Sequence, residues 1–271
     1  MVQNQYFSVL LQQNNKNKMA NEEDYFIAAN SVGAINEEQY KKLDVLIHTT
    51  EAISRSLYQS VYLIDYYKKG FLYVSENPLF LCGHTAKEMK EMGYAFYSEH
   101  VPENEQQMLV EINSNGFKFF ETKIVPEDKY KCYISYDFHI MLDGNRKVLI
   151  NHKLTPILLT EDGRIWIAMC IVSLSSQSTP GHIEFHIEGE QKYWKYDLDF
   201  HKWKEKDMVQ LKPEEKQVLT LCSQGLTMNE IADKMCKSID SIKFYRRTLF
   251  EKIGTKNITE ALSFATTYKL L

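Results

Sequence analysis

Between Cys132 and Leu142 every second residue is apolar or aromatic (Cys132, Ile134, Tyr136, Phe138, Ile140, Leu142), whereas beyond Leu211 the apolar positions fall three and four apart. The first spacing puts one face of a strand into a core and the second puts one stripe of a helix there. The strand-type pattern extends over three segments, about 131–142, 147–159 and 164–174, joined by the turn formers Asp143-Gly144 and Asp162-Gly163. Two shorter strand patterns, Val61 to Tyr66 and Phe71 to Val74, flank a turn at Lys68-Lys69-Gly70. Helical pieces are predicted in between, over Asn77–Leu81, Thr85–Met92 and Pro102–Asn113.

Ahead of these lies a long amphipathic helix from Asn36 to about Tyr58. Asn36 and Gln39 form its cap, and Tyr40, Leu43, Ile47, Thr50, Ile53 and Leu57 form its stripe. Spacing does not separate packing on its own domain from pairing with a second subunit. Residues 1–35 read as a loosely ordered segment, rich in Asn and Gln up to Asn21, with an apolar patch at Phe7 to Leu11 and a second candidate start at Met19. After a Ser/Thr-rich join (Ser173 to Pro180), Ile183, Phe185 and Ile187 alternate with polar residues, Gly189-Glu190 turns the chain, and Trp194, Tyr196, Leu198 and Phe200 alternate back. This reads as a separate two-strand hairpin over 182–203. A lone hairpin is marginal in water, so its aromatic face must pack on a neighbour.

From Leu211 onward four helical patterns follow. Pro213 suits the first turn of a helix and Gly225 the left-handed position just past its end. Thr227 with Glu230 makes a capping box for a short second helix carrying Ile231, Ala232 and Met235 inward. After a turn at Cys236-Lys237, Ser238 caps a third helix with Ile242, Tyr245, Leu249 and Ile253 inward, closed by Gly254. The outer face of that helix carries Ser241, Lys243, Phe244, Arg246 and Arg247. With Lys237, Lys252 and Lys256, residues 237–256 hold six Lys/Arg against two acids, a local +4 in a chain whose net charge is −4. Positive charge gathered on one helix is what a phosphate-binding element needs.

The remaining composition narrows the class. The chain is 271 residues long, 44% hydrophobic and 25% charged, enough for a packed core and one or two domains. It lacks a membrane-length apolar run and a secretory leader pattern, so the expected location is cytoplasmic. Five cysteines (Cys82, Cys132, Cys170, Cys222, Cys236), an odd number without CxxC spacing, read as free thiols. His84, His100, His139 and His152 stand in ordinary polar or strand contexts. No residue is assigned a catalytic role, no metal or cofactor is expected, and the chain is expected not to be an enzyme.

The C-terminal segment, about 209–271, resembles the LuxR-type (GerE-like) helix-turn-helix domain of bacterial transcription regulators. The resemblance rests on Leu211-Lys212-Pro213-Glu214-Glu215, Val218-Leu219, Gly225-Leu226-Thr227, Glu230-Ile231-Ala232, Ser241-Ile242-Lys243, Lys252-Ile253-Gly254 and Asn257-Ile258-Thr259-Glu260-Ala261. Lys212 departs from the threonine cap usual there, and Tyr245 from a common histidine. The resemblance implies that Lys243, Phe244 and Arg247 face the groove of duplex DNA and that Arg246 reaches phosphate; the local charge adds Lys252 and Lys256 to the expected interface, Ser241 near the helix N-terminus is placed to bond a phosphate, and Ser238 is read as a cap. It also implies that the last helix, with Ala261, Leu262, Ala265 and Tyr268 on one side, pairs two copies, the alternative being that it closes the domain core. The order of elements in 55–175 resembles a PAS domain, which implies a sensor or association module with any ligand between sheet and helices.

The expectation is thus an α+β chain. It comprises a loose segment (1–35), a PAS-like sensor with a leading helix (36–175), a linker and β-hairpin (176–206) and an all-α, four-helix helix-turn-helix domain (207–271). Its expected function is DNA-binding transcription regulation, as a homodimer on an inverted repeat, with a small-molecule ligand or protein partner at the PAS-like domain and no membrane partner. The competing reading is an interaction adaptor or sigma-like factor whose C-terminal helices act only inside a larger complex.

Overall fold

A computed structural model describes residues 20–268 and 270. The chain divides into two compact units at Lys206/Asp207. The first is built on one antiparallel sheet of eight strands in the order β2-β1-β5-β4-β3-β6-β7-β8. Its strands are β1 Ser60–Asp65, β2 Gly70–Val74, β3 Cys132–Leu142, β4 Arg146–Leu159, β5 Ile165–Leu174, β6 Gly181–Ile187, β7 Lys192–Asp197 and β8 Lys202–Asp207. Two strands, a run of helices, then three antiparallel strands is the order the PAS resemblance implies.

Just ahead of the sheet lie α1 Glu37–Lys41 and α2 Leu43–Ser54, where a single helix is expected from the pattern, the break falling at Lys42. The predicted cap is present: Gln39 N–H donates to Asn36 Oδ1 at 2.8 Å and Asn36 N–H to Gln39 Oε1 at 3.1 Å. The expected stripe is only partly covered. Leu43 packs with Leu63, Trp166 and Ile167 on one face of the sheet, while Ile53 and Leu57 are exposed.

Between β2 and β3 come α3 Pro78–Leu81, α4 Ala86–Met92, α5 Ala95–His100 and α6 Glu103–Lys123. They bury Phe80, Met89, Phe96 and Ile112 in one core with Tyr62, Phe138, Ile140 and Ile150 from the sheet. Helix α6 continues ten residues past the predicted end at Asn113. The run Ser114-Asn115-Gly116 reads as a breaker, yet Gly116 serves packing: a Cβ there would lie 2.9 Å from Ile134 Cδ1. The glycine lets helix and strand approach, at the modest cost of glycine inside a helix. Helix α5 has no counterpart among the predicted elements.

Residues 182–203 are not a separate hairpin. Strand β6 pairs with β3 (Cys132 opposite Ile187, Ile134 opposite Phe185), β7 pairs with β6, and β8 adds a third strand from residue 202. The turn at Gly189 also spans four residues, not two. The reason lies in the aromatic face, which finds its neighbour within the unit: Phe119 of α6 stands 5.0 Å from Phe185, 5.5 Å from Trp194 and 4.7 Å from Trp203, centroid to centroid. Residues 20–35 are likewise not loose, since Ala20, Tyr25 and Asn30 are buried. The expectations for Phe7 to Leu11 and Met19 lie outside the described residues.

The second unit comprises α7 Pro213–Ser223, α8 Met228–Met235, α9 Ile239–Ile253 and α10 Ile258–Thr267. Val218, Leu221, Ile231, Ala232 and Ile242 fill one end of its core. Leu211, Leu219, Leu249, Ile253, Ala261 and Ala265 fill the other.

Candidate nucleic-acid interface

Local chemistry fixes how α8 and α9 meet. Glu230 returns a carboxylate oxygen to the Thr227 N–H at 2.7 Å, and Thr227 Oγ1 accepts from the Glu230 N–H. Helix α8 ends on Cys236 in the left-handed conformation (φ 52°, ψ 45°), a position where glycine avoids a steric cost. Ser238 then caps α9, its Oγ accepting from the Ser241 N–H at 3.2 Å. Three residues after the left-handed Cys236, the chain is again in a helix whose outer face is free of the core.

That face holds Lys243, Phe244 and Arg247, all exposed, with Arg246 half-buried beside them. Lys243 Nζ lies 3.2 Å from Asp240 Oδ1, and Arg247 Nε lies 3.9 Å from Glu251 Oε1. Exposed pairs of this kind contribute little, about 0–1 kcal/mol, so either cation can exchange its carboxylate for a phosphate or a base edge. The Arg247 guanidinium sits 5.6 Å from the centroid of Phe244, and that of Arg246 sits 5.2 Å from Phe250. These rings restrict the two forks and so lower the entropy lost when they bind. Met228 at the start of α8 joins Arg246, Phe250 and Lys243 in lining a shallow groove between the two helices. The sequence pattern does not single out Met228; only its place directly after the Thr227 cap points there.

The other expected residues divide. Lys256 is exposed at the turn into α10, and the Ser241 hydroxyl is 2.9 Å from that of Ser238, within the cap. Lys252 is a correction. Its Nζ lies 2.6 Å from Glu215 Oε2 and 3.2 Å from the Gln210 carbonyl, which holds it to α7 and away from the Lys243–Arg247 face. Glu215, whose side chain is only 2% exposed, also accepts from the Thr248 hydroxyl at 3.0 Å and the Lys212 N–H at 2.7 Å. Burial alone would raise the Glu215 carboxyl, but hydrogen bonds from Lys252, the Lys212 N–H and Thr248 outweigh it and hold it below the ordinary carboxylate range. Lys212 supplies no side-chain cap, so this carboxylate does half the work of one. Glu215 is legible in the sequence only as part of the family pattern, not as the anchor it is.

The small residues of α10 are a second correction. Ala261 and Ala265 are fully buried against α7 and α9, so they close the domain's own core and cannot form a seam between copies. Leu262 and Tyr268 are half-buried, and Tyr268 stacks on Phe264 at 4.2 Å.

In the first unit, His152 is buried, with Nε2 2.5 Å from the Tyr62 hydroxyl, and burial pushes its imidazole down to about 3. His84 and His100 face each other, Nε2 to Nε2, at 2.9 Å, and His139 Nδ1 meets Glu105 at 2.7 Å. Among the described residues, no group of three or more His, Cys, Asp or Glu is placed to hold a metal ion, and no helix is long and apolar enough to cross a membrane.

The family model described as bacterial regulatory proteins, luxR family, matches residues 209–265. No curated protein matches the chain significantly. Among solved structures, the phage VqmA–DPO complex is similar at 15% identity over 86% of this chain and 90% of that one, with a TM-score of 0.32. VqmA of Vibrio cholerae in the absence of target DNA is similar at 16% identity over 86% and 88%, with a TM-score of 0.33. A PAS domain from Colwellia psychrerythraea is similar at 13% identity over 49% of this chain and 97% of its own, with a TM-score of 0.34. Likenesses at such TM-scores carry no functional conclusion for this chain. The match covers residues 209–265, the stretch that holds these four helices but for the last two residues of α10, and this segment is a helix-turn-helix domain of the luxR family of bacterial regulatory proteins.

Proposed function

We propose that the chain is a cytoplasmic transcription regulator: α9 enters the major groove of a specific duplex while α8 braces it, and the PAS-like unit receives the signal. One observation carries this reading. Lys243, Phe244 and Arg247 project from a single helix face that the domain core leaves open, with Arg246 and Lys256 at its margins. Cationic forks donate to guanine O6 and N7, and an apolar ring meets a thymine methyl. Two copies would bind an inverted repeat with half-sites about one helical turn apart. Leu262, a half-exposed apolar residue of α10, is the side chain proposed to face the second copy.

The test is mapping of bound duplex DNA across the genome in the native host, followed by titration of the recovered site against salt. A site-specific complex should weaken steeply between about 50 and 200 mM salt, because each phosphate contact releases counterions. A flat salt response, or no recovered site, would favour an adaptor working through protein contacts.

A further inference from the structure

His84 and His100 meet Nε2 to Nε2 at 2.9 Å, both rings half-buried. Two neutral imidazoles stand this close when one donates and the other accepts. The direction is set at His100. Its Nδ1 lies 3.2 Å from the Met141 carbonyl, which can only accept, so Nδ1 carries the proton and Nε2 keeps its lone pair. His84 therefore donates through Nε2. The setting of His100 is also that of a metal-binding histidine, whose second ring nitrogen is fixed by a carbonyl so that the first faces the ion. We propose that this pair is a binding site for a divalent first-row transition metal ion, held by His84 Nε2 and His100 Nε2 with water in its remaining positions.

Distance and donor type set the class of ion. Two nitrogens about 2.0–2.1 Å from a common ion and 2.9 Å apart subtend about 90° at it. That is the cis angle of a square-planar or octahedral centre, which suits Ni²⁺ and Cu²⁺; a tetrahedral Zn²⁺ would need the nitrogens about 3.3 Å apart. Imidazole also selects these ions over Mg²⁺ and Ca²⁺, which take oxygen ligands. Nearby charge favours a cation. The exposed Asp143 carboxylate fills the space that a side chain at Gly83 would take, next in the chain to His84. Among the described residues no third His, Cys, Asp or Glu joins the pair to complete a set of three, so the open positions fall to water.

Loading moves one proton and one ring. The His84 proton passes through solvent from Nε2 to Nδ1, which leaves both Nε2 lone pairs for the ion and the ring neutral. Lone pairs that face along a hydrogen bond must swing outward to meet at a metal. His84 can make that turn, because it stands in the loop between α3 and α4. His100 is held at the end of α5, by Met141 and by stacking on Phe96 at 5.0 Å, centroid to centroid. An occupied site would tie the loop to α5 and, through Met141, to the end of β3.

The experiment titrates the full-length protein with Ni²⁺ by calorimetry, with Mg²⁺ in parallel, and repeats this on two variants. His84→Gln keeps a donor for His100 Nε2 but offers no imidazole, whereas His84→Ala removes both. Losing an outer partner of a metal ligand weakens binding by about 10–100-fold, so losing a ligand should cost at least about tenfold in Ni²⁺ affinity in either variant. The wild type should bind Mg²⁺ far more weakly than Ni²⁺. One equivalent of Cu²⁺ should give an electron paramagnetic resonance spectrum split by two imidazole nitrogens in the wild type and not in His84→Gln. Because His84→Gln preserves the hydrogen bond, the comparison stands even if His84→Ala does not fold. Unchanged Ni²⁺ affinity in His84→Gln, Mg²⁺ bound as tightly as Ni²⁺, or a wild-type Cu²⁺ spectrum with fewer than two imidazole nitrogens would overturn the site and leave the pair a plain hydrogen bond.

Discussion

Replacing Lys252 with methionine tests how the second unit is held together and what that lysine is for. In the wild type its ammonium lies 2.6 Å from a Glu215 carboxylate that is 2% exposed, while the lysine side chain itself is 33% exposed. Removing one partner of a fully buried pair costs about 3–5 kcal/mol because the other charge is stranded. Here the lysine end already meets solvent, and the Lys212 N–H and Thr248 hydroxyl remain on the carboxylate, so about 2 kcal/mol is the expected loss. That corresponds to about 30-fold faster hydrogen exchange of the slowest amides in α7 and α9 at pH 7, read by mass spectrometry on the intact chain. The pH dependence has a definite sign. The folded Glu215 carboxyl is held below its ordinary value, so the stability it contributes is complete above about pH 4.3 and is lost as pH falls through the folded value. Wild type and variant should therefore converge as the pH is taken from 7 toward about 3. Per folded molecule, DNA affinity and its salt slope should not change, because the ammonium is already engaged. A gap that widens on acidification, or a salt slope reduced by about one, would refute the placement of Lys252 inside the domain.

Lys243→Ala and Arg247→Ala should each cost about 1–3 kcal/mol of binding and relax sequence choice, as seen by competition among mutated sites; unchanged preference removes them from the base-reading set. Arg246→Ala should weaken all duplexes alike and reduce the salt slope by about one, and a loss confined to one base pair would contradict its phosphate role. Cys236→Gly relieves a left-handed cysteine at the α8–α9 turn and should stabilise the domain by about 0.5–1 kcal/mol in denaturant titration, after allowance for glycine's greater unfolded-state entropy. Leu262→Glu should abolish paired half-site footprints while leaving single-site binding, and an intact paired footprint would exclude Leu262 from the dimer contact.

Where local chemistry decides an element, the sequence is a sufficient guide. The Thr227–Glu230 box, Ser238 and the strand alternation of 132–142 each act within a few residues, and each is present in the structure. Where partners are distant in the chain, it is not. Nothing near Gly116 announces that Ile134 needs its missing side chain, and nothing near residue 183 tells that β3 lacks a neighbour on that side. The same limit applies to the site: the helix face of Lys243 and Arg247 follows from their four-residue spacing, but a local charge count groups Lys252 with them although it is claimed by Glu215, thirty-seven positions earlier. For Ala261 and Ala265, small size reads equally as a seam between molecules and as close packing inside one; only the folded domain separates the two.

Because β6 is laid against β3, any boundary cut near residue 175 to isolate the sensor would do damage that its length does not suggest. Strand β3 would lose the backbone partners of Cys132, Tyr133, Ile134 and Ser135, and Phe119 would lose Phe185, Trp194 and Trp203 together. A fragment so trimmed would present a bare strand beside an aromatic patch, a template for aggregation, whereas one ending at 206 keeps both covered.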